Sequence, residues 1–466
     1  MEYDSAQERE MKAQFLKQVS AILKNQGRYE KTNGGLKVGF EWEYCLVKGG
    51  LDLVGVDLRD ELLTEANTQL SVNGDVTIKK ELGGAQLESN LGPINIRESG
   101  VEGLMSRSHN LENAVANILK TRGVSILRCG FYPRLPLLDG KIVRSSDIKY
   151  QVVPSYHDFN RGEHIDTNIG FLGVVHAAAA ASLAFSNAVQ FNIEASSLMD
   201  AVDKNNRSFM IAPFLLALGG NSRFIDFRDT GLSDVRMPIW EKSHDIRTEE
   251  EIRGGKLYRI GLPQNYHKNI EEYFDEVGSF PFILGPKHGV PLEAAFKVGI
   301  GLYWKDSRIK LPQEDACVVE FRILPIQPKM EEDLAFFFYY IVRLAYAQNK
   351  NEPLIPRKYL DHNRNSAIED GIYGLMWYDT NLNGSFKMVS TQDALREDLK
   401  RAREGLMMLG IQDRTAYDHF SLLYKNLSEG SPSKRFADSV RIIKTREGVS
   451  QKEALDIALR DFLVQV

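Results

Sequence analysis

Cysteine is scarce in this 466-residue chain, with three residues only, Cys45, Cys129 and Cys317. An odd number cannot close into a disulfide set, and no CxxC pair offers the spacing of a structural zinc site, so a reducing compartment is expected. Charge of one sign is also missing. Lysine and arginine total 58 against 63 aspartates and glutamates, a formal net charge of -5, which argues against nucleic acid or an anionic membrane as partner. Long apolar runs are absent as well. The longest, Gly170 to Phe185, is alanine-rich, carries His176 and falls short of a membrane span. The segment from Met1 to Lys12 is polar and acidic, without the apolar core of a secretory signal. No internal repeat or low-complexity segment is present. These absences predict a cytoplasmic globular protein whose partners are small molecules, with its oligomeric state open.

What is present is a mixture of two periodicities. Met11, Phe15, Val19 and Ile22 recur at helical spacing and predict an amphipathic helix over 5–25. An Asn33-Gly34-Gly35 turn leads into a strand from Leu36 to Val47. Strand signals return at Val76 to Glu88, at Ser125 to Arg128, at 187–194 and at 317–324. Helices are expected over 101–121, 197–219 and 331–349, and the alanine-rich run 171–185 reads as a buried helix holding His176 in the core. From about residue 390 the pattern is helical, broken at Glu429-Gly430-Ser431-Pro432. Strands separated by long helical insertions predict an α+β class. The expected division is an N-terminal helix at 1–35, a catalytic domain at 36–390 and a helical C-terminal extension at 391–466.

Successive side chains on a strand point to opposite faces. In Val38–Leu46 this sets Phe40, Trp42 and Tyr44 on one face and Glu41, Glu43 and Cys45 on the other, the two carboxylates roughly 7 Å apart. Gln190, Asn192 and Glu194 oppose Val189, Phe191 and Ile193. Glu320 and Arg322 oppose Val319, Phe321 and Ile323, while Gln86 shares a face with Glu88. One wet side is ordinary for an antiparallel sheet, yet these four faces are written mainly in Glu, Gln and Asn. Such hard oxygen donors suit magnesium, whose coordination ATP phosphates complete.

At these same residues the chain resembles the glutamate–cysteine ligase family, especially its plant-type and related bacterial branch. Gly39-Phe40-Glu41-Trp42-Glu43 is similar to the family's GxExE strand. Glu81-Leu82-Gly83-Gly84-Ala85-Gln86-Leu87-Glu88-Ser89 resembles EPGGQxELS, with one inserted residue and Leu in place of Pro. Val189 to Glu194 resembles VQVNLD. Asn221-Ser222-Arg223-Phe224, followed by Arg228, Arg236 and Trp240, resembles ANSPF…G…R…W. Arg308-Ile309-Lys310 and Val319-Glu320-Phe321-Arg322 match VRLK and LEMR in order. The resemblance spans about 36–350. It implies a glutamine-synthetase-like fold, a curved antiparallel sheet with flanking helices, whose concave face activates a carboxylate with ATP as an acyl-phosphate before an amine displaces phosphate.

On that reading Glu41, Glu43, Glu88 and Glu320 are magnesium ligands, and removing Glu41 or Glu320 should abolish turnover with the fold intact. Gln86, Gln190 and Asn192 are neutral donors to metal or nucleotide. Arg322, Arg228, Arg236 and Arg308 grip the γ-phosphate and substrate carboxylates. Glu81 is expected to pair with Lys79 or Lys80, Lys149-Tyr150 resembles the family's RYK element, and Cys45 is a small filler. Where the family has a Gly-rich stretch after LEMR, this chain has Ile323-Leu324-Pro325-Ile326-Gln327-Pro328, which leaves the acceptor amine open. Three readings follow: a glutamate–cysteine ligase proper, a related carboxylate–amine ligase with another acid or acceptor, and a non-catalytic nucleotide-binding homologue.

Overall fold

The computed structural model describes residues 5–31, 36–70, 75–134, 143–313, 315–410 and 414–464. The turn expected at Asn33-Gly34-Gly35 lies outside them. Eight strands form one sheet: β1 (Lys37–Lys48), β2 (Asp52–Leu53), β3 (Val76–Lys80), β4 (Gln86–Asn95), β5 (Val124–Leu127), β6 (Val189–Glu194), β7 (Ser307–Gln313) and β8 (Ala316–Phe321). Their order is β7-β8-β6-β1-β4-β3, and β2 and β5 pair with the far end of β1. Every pairing in this sheet is antiparallel, as the α+β reading expects. The segment read as one strand from Val76 to Glu88 is instead split into β3 and β4 by a turn. Gly83 is required in that turn, because a Cβ there would lie 2.2 Å from the Ala184 carbonyl oxygen.

The alternation along each strand decides which face is dry. Phe40, Trp42, Tyr44, Leu87, Phe191, Ile193, Val319 and Phe321 are buried, each worth about 1.5–3 kcal/mol on leaving water. They meet the helices Leu198–Gly219 and Met330–Asn349. Phe40 packs 4.6 Å from Phe337 and Phe321 packs 4.5 Å from Tyr340, ring centre to ring centre. Both helices are apolar around most of their circumference, which matches their position between the sheet and a further helical layer.

That layer is the C-terminal part of the chain. Helix Thr391–Met408 lies so close to Met330–Asn349 that a Cβ on Gly405 would fall 2.0 Å from the Val342 carbonyl oxygen. Asp398, fully buried, accepts from the Tyr339 hydroxyl at 2.6 Å and from Arg343 Nε at 2.8 Å. The last residues return to the sheet: Arg128 N donates to the Phe462 carbonyl at 2.9 Å and Val464 N to the Ile126 carbonyl at 3.0 Å.

The alanine-rich run is not a helix. Short 3-10 turns at Gly170–Leu172 and Ala180–Phe185 flank a strand, Val174–Ala178, that pairs with His164–Asn168. Glycines at 170 and 173 adopt positive φ, and Val174-Val175 favours extended backbone. His176 is therefore outside the core; its exposed ring sits 2.8 Å from Asp166. Among the described residues, no helix is long and apolar enough to cross a membrane.

Candidate active site

The undersides of five central strands meet in one polar floor, and the register brings its side chains together. Glu43 lies opposite Glu88, Glu41 opposite Gln190, and Glu320 opposite both Asn192 and Arg308. Gln190 Nε2 donates to Glu43 at 2.7 Å while its oxygen accepts from Arg322 at 2.6 Å; Asn192 donates to Glu41 at 3.0 Å.

The floor has two ends of opposite character. At one, Glu320 is fully buried and surrounded by Arg308, Arg322 and Lys310. These cations hold its carboxyl well below the usual range despite burial. Lys310 also reaches Glu41 at 3.0 Å. At the other end Glu43, Glu81 and Glu88 repel one another. Burial first, then these mutual charges, raises all three, Glu43 to about 7. Glu41 is raised too, by burial and then by Glu320. Lys79, Asn90, Lys149 and Tyr150 border this end; Lys79 and Asn90 donate to Glu88 at 3.3 and 2.7 Å.

Several expected site residues take different places. Glu320 spends both carboxylate oxygens on Arg308, Lys310 and Arg322, so here it anchors three cations. Gln86 is almost fully buried; its oxygen accepts from Gly83 N and its amide nitrogen donates to Ser186 O and Asn187, so both amide hydrogens are used within the fold. Arg236 is also buried. It bonds Asp234 and the carbonyls of Asn187 and Ile323, tying the ends of β6 and β8 together. Arg228 is exposed on a two-strand hairpin outside the large sheet, beside Asp226 at 3.6 Å. Glu81 does not pair with Lys79 or Lys80, which bond Glu88 and Asp147; it joins Glu43 and Glu88. Lys310 was not singled out, although its spacing of two from Arg308 sets both on one face.

The donor set at the carboxylate end fits a hard divalent cation. Its ligands are oxygens, and burial imposes on them protons that a cation would displace. Among the described residues, no three His, Cys, Asp or Glu side chains already stand in closed coordination geometry, so Glu43, Glu81 and Glu88 would draw in around an ion.

A sheet dry on one side and divided into carboxylate and cation ends on the other is the framework of an ATP-dependent carboxylate–amine ligase. The chain belongs to glutamate-cysteine ligase family 2, whose model matches residues 37–382. Two solved structures are similar in fold. One is glutamate–cysteine ligase from Francisella tularensis in complex with AMP, at 13% identity, with 93% of this chain and 89% of that one covered and a TM-score of 0.58. The other is a bifunctional glutathione synthetase from Pasteurella multocida, at 13% identity, with 95% and 52% covered and a TM-score of 0.50. No curated protein matches the sequence.

Proposed function

We propose that the floor activates the γ-carboxylate of glutamate with ATP and magnesium, releasing ADP, and passes the acyl group to an amine. The observation that carries this reading is the separation of charge along one sheet face: Glu43, Glu81 and Glu88 at one end, Arg308, Lys310 and Arg322 at the other. Magnesium held by the three carboxylates would neutralise phosphate charge. Arg322 and Lys310 hold the substrate carboxylate and the transferring phosphoryl group side by side, and their fixed charge offsets what develops during transfer. Gln190 and Glu320 both hold Nη1 of the Arg322 guanidinium, so little reorganisation is needed at the moment of reaction. The amine then attacks the acyl carbon and phosphate leaves. The three buried, unpaired thiols are compatible with a cytoplasmic enzyme.

One observation favours an acceptor other than cysteine. The segment after β8 is an extended strap: Leu324 O accepts from Val189 N at 3.1 Å, and Gln327 N donates to Asp333 at 2.9 Å. The Gln327 side chain braces it too, donating to the Gly219 carbonyl at 2.8 Å, a contact that glycine in the Gly-rich stretch of the resembled family could not make. Incubating the enzyme with ATP, magnesium and panels of acids and amines tests both readings. ADP and phosphate are expected, and formation of AMP and pyrophosphate would rule out the acyl-phosphate route.

A further inference from the structure

Strands His164–Asn168 and Val174–Ala178 form a two-stranded sheet of their own, and alternation again divides its two faces. Ile165, Val175 and Ala177 are buried. His164, Asp166, Asn168, Val174 and His176 share the other face and are exposed. Asp166 stands opposite His176 and His164 opposite Ala178, so the two histidines are diagonal neighbours on adjacent strands. Their rings stack, 4.8 Å between centres and 21° between planes. Asp166 lies 2.8 Å from Nδ1 of His176.

The backbone holds this hairpin in place. Ala179 N donates to the Glu163 carbonyl at 2.8 Å and Ala180 N to the Asp158 carboxylate at 3.1 Å. At the tip, Phe171 N donates to the Thr230 carbonyl at 2.7 Å. The two histidines are therefore kept in register from both ends of the hairpin.

A carboxylate only accepts, so in the neutral ring Nδ1 of His176 carries the hydrogen and the lone pair is left on Nε2. A metal-binding histidine has this arrangement, its second ring nitrogen donating to a carboxylate. Among the described residues, the other close histidine pair, His157 and His244, is buried and closed to a hydrated ion.

We propose that His164 and His176 bind one divalent transition-metal ion, of the zinc, nickel and copper class, apart from the reaction floor. Imidazole nitrogens suit such ions, whereas magnesium keeps to oxygen donors. Each strand gives one ligand, Asp166 orients His176, and water completes the coordination shell. In the stacked arrangement the two lone pairs lie side by side. Turning the exposed His164 ring about χ2, a broad torsion, directs both at one ion, and Ala178 opposite it adds only a methyl to crowd that movement. Among the described residues, no third His, Cys, Asp or Glu closes the shell, so the site is open and its ion exchangeable. An ion held from both strands staples the hairpin.

Calorimetric titration of the chelator-treated full chain with Zn2+ and with Ni2+, magnesium present throughout, tests this. Wild type should take up one equivalent and gain Tm as the ion is added. His164→Ala and His176→Gln should each weaken uptake at least about 10-fold, and Asp166→Asn about 10-fold through the orientation of His176. His176→Gln keeps a donor for Asp166, so a loss there reports the missing ligand and not a missing hydrogen bond. Electron paramagnetic resonance of bound Cu2+ should show two imidazole nitrogens in wild type and one in His164→Ala. All three side chains are exposed, so the metal-free Tm should stay at the wild-type value; His164→Asn replaces the alanine variant if the latter melts lower. Equal affinity in wild type and both histidine variants, or no heat of binding in wild type, would overturn the site. So would uptake that Glu43→Gln abolishes, which would put the ion at the floor. The titration needs no turnover, so its outcome is independent of the ligase reading.

Discussion

At Glu43, burial and then the Glu88 charge push the carboxyl from its ordinary 4.5 up to about 7. The folded state therefore holds this proton more tightly than the unfolded chain. The stabilisation is complete below about pH 4.5 and is lost as pH rises to about 7, a change of up to about 3 kcal/mol. Glu41, Glu81 and Glu88 act in the same direction. Metal-free protein should accordingly melt lower at pH 7 than at pH 5, and magnesium should flatten that slope; thermal scans with and without chelator measure it, and an unchanged slope in Glu43→Gln would refute the assignment. Glu320 has the opposite character. Glu43→Gln should abolish turnover yet leave the metal-free Tm equal or higher, whereas Glu320→Gln strips three cations of their partner and should cost on the order of 3–5 kcal/mol in denaturant titrations. Arg322 gives a third comparison. Its Nε is buried without a partner, while Nη1 is held by Glu320 and Gln190. Arg322→Lys should lose turnover about 10³-fold, nearly as much as Arg322→Ala, because an ammonium cannot reproduce the fork. A Lys variant with most of its turnover would remove Arg322 from the chemistry.

At the scale of elements, Arg236 acts as a clasp between β6 and β8. Arg236→Met leaves Asp234 buried and uncompensated, with an expected loss of about 3–5 kcal/mol. Adding Asp234→Asn should recover a good part of that, and chemical denaturation of the three variants reads it directly. The clasp also shows where sequence reading stops. Alternation along β1, β6 and β8 was legible because period two needs only local geometry, and it placed Glu41, Glu43, Gln190, Asn192, Glu320 and Arg322 on a common face. Whether a polar side chain is free depends on non-local partners, so Gln86 and Arg236 were indistinguishable from site residues. The run 171–185 failed for another reason. Alanine fits a helix or a tightly packed strand equally, and the deciding signals were Gly170, Gly173 and the Val174-Val175 pair.

At the scale of the whole molecule, the C-terminal helices read correctly as helices, but nothing local in them announces that residues 462–464 come back to β5. Deleting residues 448–466 should expose Leu127 and the β5 edge, lower Tm by several degrees and promote aggregation; circular dichroism melts and light scattering check this, and an unaltered melt would make the return contact incidental. The two-faced sheet has a consequence for folding itself. If one central strand slipped by a single residue, its phenylalanines and valines would turn toward water and its glutamates would enter the aromatic core. A mispaired intermediate is then penalised on both faces at once, so the acidic and basic groups that perform the reaction also proofread the pairing of the strands that carry them.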